Sequence, residues 1–362
     1  MYNLIRPYLF RLDPERAHDL TLRSLSLAGN IAPVRWLIAQ LFKGPSKPVE
    51  AFGLTFKNPV GIAAGYDKDG IAIRGLAALG FGHVEIGTVT PKPQPGNPSP
   101  RIFRLVEDEA VINRMGFPSK GSEFMQHKLN PSLREGWFES IYGIEPPSKK
   151  RKITNIHTGG SILGINLGKN KDTPNEQAVY DYVSLVDSFA PHADYLAINI
   201  SSPNTAGLRE LQGRAVLETL LSHLHQQRLV SQELHKKRVP ILVKLAPDLT
   251  DSELDDAIEA ILRSKMDGII VTNTTLGREG LRSDQKGESG GLSGCPLREK
   301  SEAVLYQTVK RVNDAIPIVS VGGIMNPDDA KKRLDMGATL VQIYTGLIYR
   351  GPGLVQEILK SL

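Results

Sequence analysis

Eight short runs of almost unbroken apolar residues, separated by helical patterns, constrain the fold of this chain more than any other feature. They occupy residues 59–64, 83–88, 162–167, 194–200, 241–246, 267–273, 317–322 and 340–344. Runs of this length, rich in Val and Ile and lacking polar alternation, are what strands buried on both faces require. The segments between them read as helices. Residues 252–264 put Leu254, Ala257, Ile258 and Ile261 on one stripe, and the helix over 327–336 opens on Asn326-Pro327, a good start signal. Eight strands alternating with helices predict an α/β fold, a closed (β/α)8 TIM barrel. Chemistry in that fold sits at the carboxyl ends of the strands. Here those ends carry Lys68, Thr88, Asn166, Asn199, Lys244, Asn273, Gly323 and Thr345, all polar or glycine.

The fourth strand end is the densest. Asn199-Ile-Ser-Ser-Pro-Asn-Thr205 crowds asparagines and hydroxyls behind an apolar strand. Such a cluster can grip a flat, hydrogen-bond-rich heterocycle and aim a hydroxyl at it. A polar loop that merely caps the next helix is the plainer reading of that stretch alone. Val321-Gly-Gly-Ile324 and Tyr344-Thr-Gly346 follow the seventh and eighth strands, where barrels commonly bind phosphate through backbone N–H groups. Lys244 would lie beneath a cofactor as a fixed cation, unless Asp248 pairs with it.

At 362 residues the chain suffices for one barrel with additions, and 40% hydrophobic with 23% charged residues is an ordinary globular composition. A single cysteine, Cys295, excludes an intramolecular disulfide and a cysteine metal cluster. No metal is expected, and no apolar run reaches the length of a membrane span. Residues 1–47 hold seven basic side chains against three acidic ones, among many apolar residues including Trp36 and Phe42. Asp13-Pro14-Glu15 and Pro33 each start a helix. Two short amphipathic helices with a basic rim suit a membrane surface, or else form a structural cap on the barrel. The basic run Lys149-Lys-Arg-Lys152 has no aromatic interleaving, so no nucleic-acid partner is expected.

The motifs Ala63-Ala-Gly-Tyr-Asp-Lys-Asp-Gly70, Ile112-Asn-Arg-Met-Gly-Phe117, Gly164-Ile-Asn-Leu-Gly-Lys-Asn-Lys171, Asn199–Thr205, Val243-Lys-Leu-Ala-Pro-Asp248 and Thr272-Asn-Thr-Thr275 together resemble the dihydroorotate dehydrogenases. The resemblance is to the quinone-dependent, membrane-associated class 2 and runs from about residue 10 to the end. Leu12-Asp-Pro-Glu-Arg-Ala-His18 is similar to the quinone-site extension of that class and favours the membrane reading of the N-terminus. The resemblance implies an N-terminal quinone-access segment, 1–46, and an FMN-binding catalytic barrel, 47–362. Dihydroorotate would be oxidised to orotate in pyrimidine (UMP) biosynthesis, with a membrane quinone as acceptor.

Carried over by position, the resemblance makes Ser202 the catalytic base, where soluble relatives carry Cys. It assigns Lys68, Asn113, Arg114, Met115, Gly116, Phe117, Asn199, Asn204, Asn273 and Thr274 to the substrate. The FMN residues would be Ala64, Gly65, Tyr66, Asp67, Lys68, Thr88, Asn166, Asn199, Lys244, Thr272, Gly294, Gly323, Tyr344 and Thr345. His18, Arg104 and Tyr344 would lie near the quinone. Serine is a weak base at neutral pH and needs a relay; Thr205 is the nearest hydroxyl in sequence. Between 131 and 159 the chain departs from the expected pattern with a long polar segment, read as a solvent-exposed excursion. Two alternatives remain, another FMN-dependent pyrimidine oxidoreductase of the same barrel class and a catalytically silent membrane-associated binding barrel. The first predicts Cys at position 202 and the second a degraded site. The lack of a presequence or spanning helix before Leu12 favours peripheral attachment to the cytoplasmic face of a bacterial inner membrane over a mitochondrial precursor, and a monomer is expected.

Overall fold

The computed structural model of the chain describes residues 2–130 and 159–362. The polar segment noted over 131–159 therefore lies outside the described residues, Gly159 excepted. Three helices lead the chain, α1 (Tyr2–Arg11), α2 (Pro14–Asn30) and α3 (Ala32–Leu41), followed by a hairpin of β1 (Val49–Ala51) and β2 (Leu54–Phe56). Next come β3 (Val60–Ile62), β4 (His83–Val89), β5 (Ile102–Leu105), β6 (Ala110–Asn113), β7 (Ile162–Leu167), β8 (Tyr195–Asn199) and β9 (Ile241–Leu245). The last strands are β10 (Gly268–Val271), β11 (Gly291–Gly294), β12 (Ile318–Val321) and β13 (Leu340–Ile343).

Strands β3, β4, β7, β8, β9, β10, β12 and β13 pair in parallel in that order, and β13 closes onto β3. Each of the eight expected apolar runs contains one barrel strand. The burial explains their continuous hydrophobicity. Outward residues such as Ile62, Val84, Ile165, Ile198, Val243 and Val341 join the core shared with the helices. Inward residues such as Tyr195, Ala197, Leu242, Ile270 and Val319 meet Phe52 and Phe56 of the hairpin, which closes the barrel interior. The helix Asp251–Arg263 begins with a full capping box between Thr250 and Glu253. Asn326 caps Pro327–Asp335 by accepting the Asp329 N–H at 2.9 Å.

Two features depart from the sequence reading. Three N-terminal helices form where two were expected. Pro7 hides α1 because it removes a helical donor, and tertiary contacts compensate: Arg6 donates to the Tyr349 carbonyl at 3.1 Å. α3 begins at Ala32, with Pro33 inside its first turn. The second departure is an antiparallel sheet, β5–β6–β11, beside the barrel. β5 and β6 form a local hairpin, but β11 joins β6 from far along the chain, so no local pattern announced that pairing.

The extension is packed, not appended. Glu15 of α2 holds Arg101 at 2.7 Å. A Cβ on Gly29 would come within 2.4 Å of the Gly75 backbone, and one on Gly75 within 2.1 Å of the Leu25 carbonyl. Only glycine allows these helices to approach so closely. No described helix is long and apolar enough to cross a membrane.

Candidate functional site

Polar side chains at the strand ends converge on a cavity at the carboxyl end of the barrel. Asn199, the last residue of β8, donates to Asn166 Oδ1 at 3.0 Å and to Thr88 Oγ1 at 3.1 Å. Thr88 donates in turn to Asn166 Oδ1 at 2.7 Å. Below them Glu85 accepts from Asn166 at 2.9 Å, Tyr195 at 2.9 Å and Gln342 at 2.7 Å. A buried network satisfied at this level fixes each side chain's orientation. Asn273 bridges Asn199 Oδ1 at 3.2 Å and Ser201 Oγ at 3.0 Å. Across the cavity Asn204 donates to Asn113 Oδ1 at 3.1 Å, and its backbone N–H donates to Ser202 Oγ at 3.2 Å.

The wall of this cavity includes Ala64, Gly65, Lys68, Thr88, Asn113, Met115, Gly116 and Phe117. Asn199, Ser202, Asn204, Lys244, Thr272, Asn273 and Thr274 continue it, with Gly294, Gly323, Tyr344 and Thr345 completing the expected set. Four expected residues stand elsewhere. Arg114 turns away to Glu288 at 2.5 Å and covers the Phe103 ring, and its N–H goes to the Arg101 carbonyl. Asp67 accepts the Ile71 and Ala72 N–H groups at 2.8 and 2.7 Å, shaping the loop behind Lys68. Asn166 lies fully buried beneath the wall, and Tyr66 faces a second cavity. Sequence reasoning overlooked Ser293 and Gln342 on the wall and Glu85 beneath it. A polar residue inside an apolar barrel strand, as at Glu85 and Gln342, was the available signal.

Two cations serve this space. Burial, with the like charge of Arg101, lowers the Lys68 ammonium to about 8. Lys244 is buried on β9 and makes no hydrogen bond to a described residue; burial lowers its pKa, and the Glu85 carboxylate opposes the shift. Asp248 is not its partner, since that carboxylate pairs with Arg209 at 2.8 Å and with Lys300. Gly322 and Gly323 adopt φ of +115° and +72°, open to glycine alone at little cost. A Cβ on Gly323 would strike the Arg298 backbone at 2.4 Å, so the residue is fixed by packing as well as by any ligand. Small residues, bare backbone and an unpartnered buried cation fit a flat, anionic, phosphate-bearing cofactor.

A second cavity, of about 500 Å³, opens between α1, α2 and the barrel, with Ile5, Leu9, Phe10, Leu20 and Leu25 on its wall. His18, Arg104 and Tyr344 all line it. Arg104 donates to the Phe10 carbonyl at 3.1 Å, and the His18 and Tyr66 rings meet edge to face at 5.1 Å. Burial, with the Lys68 charge, lowers His18 to about 3, so its imidazole is neutral. Asn113 and Tyr344 line both cavities.

Fold and cavity define a (β/α)8-barrel oxidoreductase of the flavoprotein type. A sequence model of the dihydroorotate dehydrogenase family matches residues 47–362. The dihydroorotate dehydrogenase (quinone) of Halorhodospira halophila is 47% identical over 362 residues, covering 100% of this chain and 97% of that protein. The protein of the same name from Idiomarina loihiensis is 46% identical and covered completely, as is this chain. Among solved structures, ligand-free DHODH from Eimeria tenella superposes with a TM-score of 0.79 at 39% identity, covering 96% of this chain and 94% of that one. Its complex with ferulenol gives 0.78 at 40% identity, covering 96% and 90%. The chain belongs to the dihydroorotate dehydrogenase family.

Proposed function

We propose that this enzyme oxidises dihydroorotate to orotate through FMN and passes the electrons to a membrane quinone, a step of pyrimidine biosynthesis. The observation that carries the reading is the pair of cavities, one polar and one apolar, sharing Asn113 and Tyr344 as walls. An enzyme that meets a water-soluble acid and a lipid-soluble acceptor needs two such openings onto one redox centre. Bound in the polar cavity, FMN supplies the acceptor for a hydride from the substrate's C6.

The chain's own groups do the rest. Lys68 pairs with the substrate carboxylate, and Asn113, Asn199, Asn204 and Asn273 match the ring's N–H and carbonyl groups. Thr274 and the Met115–Phe117 loop complete the substrate side. Ser202 takes the C5 proton. The Asn204 N–H bonded to its oxygen orients that oxygen and stabilises the alkoxide form that accepts the proton. Thr205 Oγ1, buried and without a hydrogen-bond partner among the described residues, would act as a relay, taking the Ser202 hydroxyl proton as its own passes on to water. On the cofactor side Lys244, on the cavity wall, would hold the flavin, where a cation favours the reduced anion. Thr88, Thr272 and the backbone of Ala64, Gly65 and Gly294 would hold the ring, and Gly323, Tyr344 and Thr345 would hold the phosphate. Asn166 acts from below by holding Thr88 and Asn199.

Residues 1–46 form the quinone-access segment and 47–362 the catalytic barrel. Exposed Leu4, Tyr8, Leu27, Trp36 and Leu41 suit peripheral attachment of a monomer to the cytoplasmic face of a bacterial inner membrane. The purified protein should show flavin absorbance that dihydroorotate bleaches and a quinone restores. Bleaching by dihydropyrimidines but not by dihydroorotate would favour a different pyrimidine oxidoreductase.

A further inference from the structure

Between α3, the helix Ile73–Ala78 and the hairpin end lies a third cavity, of about 540 Å³, which shares no lining residue with the other two. Among the described residues its wall carries four cations, Arg35, Lys43, Lys57 and Arg74, and no aspartate or glutamate. None of the four forms an ion pair with a described residue. Their one side-chain hydrogen bond runs from Arg35 to the Gly29 carbonyl at 2.5 Å. Elsewhere the protein pairs its cations readily, as Arg101 with Glu15 and Arg209 with Asp248 show. Burial already lowers the Lys57 ammonium below its usual value. Like charges gathered in a half-buried space repel one another, and a bound anion reverses that cost.

The architecture makes room for a ligand. Arg35 and Ala39 stand four residues apart on one face of α3, and Lys43 follows just past its end. Ala77, Ala78, Gly44 and Gly80 leave the floor open. Trp36, on the cavity wall, is 63% exposed, and Leu37 and Leu41 expose 52% and 55% of their surface beside it. A soluble phosphate has no use for that apolar rim, whereas a molecule with an anionic head and hydrocarbon tails uses both surfaces.

We infer that this cavity is a headgroup site for an anionic phospholipid. Arg35, Lys43, Lys57 and Arg74 take its phosphate, and its acyl chains run along the face that Trp36, Leu37 and Leu41 expose. The inference rests on the membrane association proposed above and adds a discrete site to it. The quinone enters elsewhere, so this lipid anchors and orients the enzyme without entering the reaction.

The test is sedimentation of the flavin-loaded full chain with two kinds of vesicle, neutral phosphatidylcholine alone and phosphatidylcholine mixed with phosphatidylglycerol. The wild type should bind the mixed vesicles more tightly. A Lys57→Gln/Arg74→Gln variant should lose about 25-fold of that affinity, at about fivefold per charge, and keep its affinity for neutral vesicles. Ala39→Leu, which narrows the cavity without changing charge, should weaken only the mixed-vesicle binding. Arg16→Gln/Arg23→Gln on α2, off the cavity, should lose far less. Flavin reduction by dihydroorotate, unchanged in all variants, reports that each is folded. An equal loss in the α2 variant, or none in Ala39→Leu, would overturn the site in favour of diffuse surface charge. Inorganic phosphate raising the wild-type melting temperature but not that of Lys57→Gln/Arg74→Gln, with no phosphatidylglycerol preference, would make it a soluble-phosphate site. Failure of the wild type to bind either vesicle would sink the membrane reading itself.

Discussion

The polar cavity at the strand ends and the apolar cavity under the N-terminal helices lie on either side of Tyr344, yet they are built on opposite plans. In the first, side chains hang from barrel strands whose register is fixed by pairing; Asn199 faces Lys244 directly across β8 and β9. Hydrogen bonds of 2.7–3.2 Å lock Thr88, Asn166, Asn199 and Asn273. In the second, the helices α1 and α2 lean on the barrel through apolar contacts and a glycine crossing. A rigid frame suits bond making and breaking, where small displacements are costly. A greasy, loosely specified pocket suits an acceptor drawn from lipid. The two cavities therefore differ in what mutation can do to each.

The largest effect belongs to the rigid side. Ser202→Ala should keep its flavin but reduce it at least ~10²-fold more slowly, the usual scale for a positioned base. Ser202→Cys should retain part of the rate. Stopped-flow bleaching of the flavin by dihydroorotate reads both, and a wild-type rate in Ser202→Ala would move the base elsewhere.

The pH dependence should separate the two sides as well. Below about 8 the Lys68 ammonium is present to hold the carboxylate, and it is lost as pH rises through that value. In the free enzyme kcat/KM for dihydroorotate should then fall about tenfold per pH unit. Reoxidation by quinone should stay flat over the same range, since His18 is already neutral there. A shared break near 8 in both half-reactions would join what this comparison keeps apart.

Smaller effects fall on the helical side. Gly75→Ala would drive a Cβ into the Leu25 carbonyl and should prise α2 from the barrel. Quinone reduction should suffer more than flavin reduction, and the melting temperature should fall by a few degrees, in keeping with a loss of about 1–3 kcal/mol. An unchanged melting temperature would mean that the crossing is looser than the glycines imply.

The same contrast governs what the sequence disclosed. All eight barrel strands were readable because burial on both faces leaves a run with few polar interruptions, such as Glu85 and Gln342. Lys68, Asn113, Asn199, Ser202, Lys244 and Asn273 were readable as motifs, and they meet because a closed barrel gathers every strand end at one mouth. The direction of the Arg114 side chain was not readable. Its neighbours line the cavity, but a carboxylate far along the chain, Glu288, captures its side chain. The pairing of β11 with β6 and the glycine contact between α2 and the helix Ile73–Ala78 likewise depend on partners distant in sequence. α1 was lost to Pro7, where local propensity was overridden by contacts to the helix Thr345–Arg350.

The central claim is that two openings onto one flavin carry the two half-reactions separately. Thr21, on the wall of the apolar cavity alone, offers a direct test beside Ser202, on the wall of the polar cavity alone. Stopped-flow measurement of flavin reduction and of quinone reoxidation in Thr21→Phe, Ser202→Ala and the double variant closes a cycle. Thr21→Phe should slow reoxidation on the order of tenfold, for a bulky ring forced into the quinone's space, and leave reduction by dihydroorotate untouched. Ser202→Ala should do the reverse, and the double variant should show the two losses side by side without coupling. If Thr21→Phe slows both half-reactions equally, the helices are a structural cap and the two-opening account is wrong.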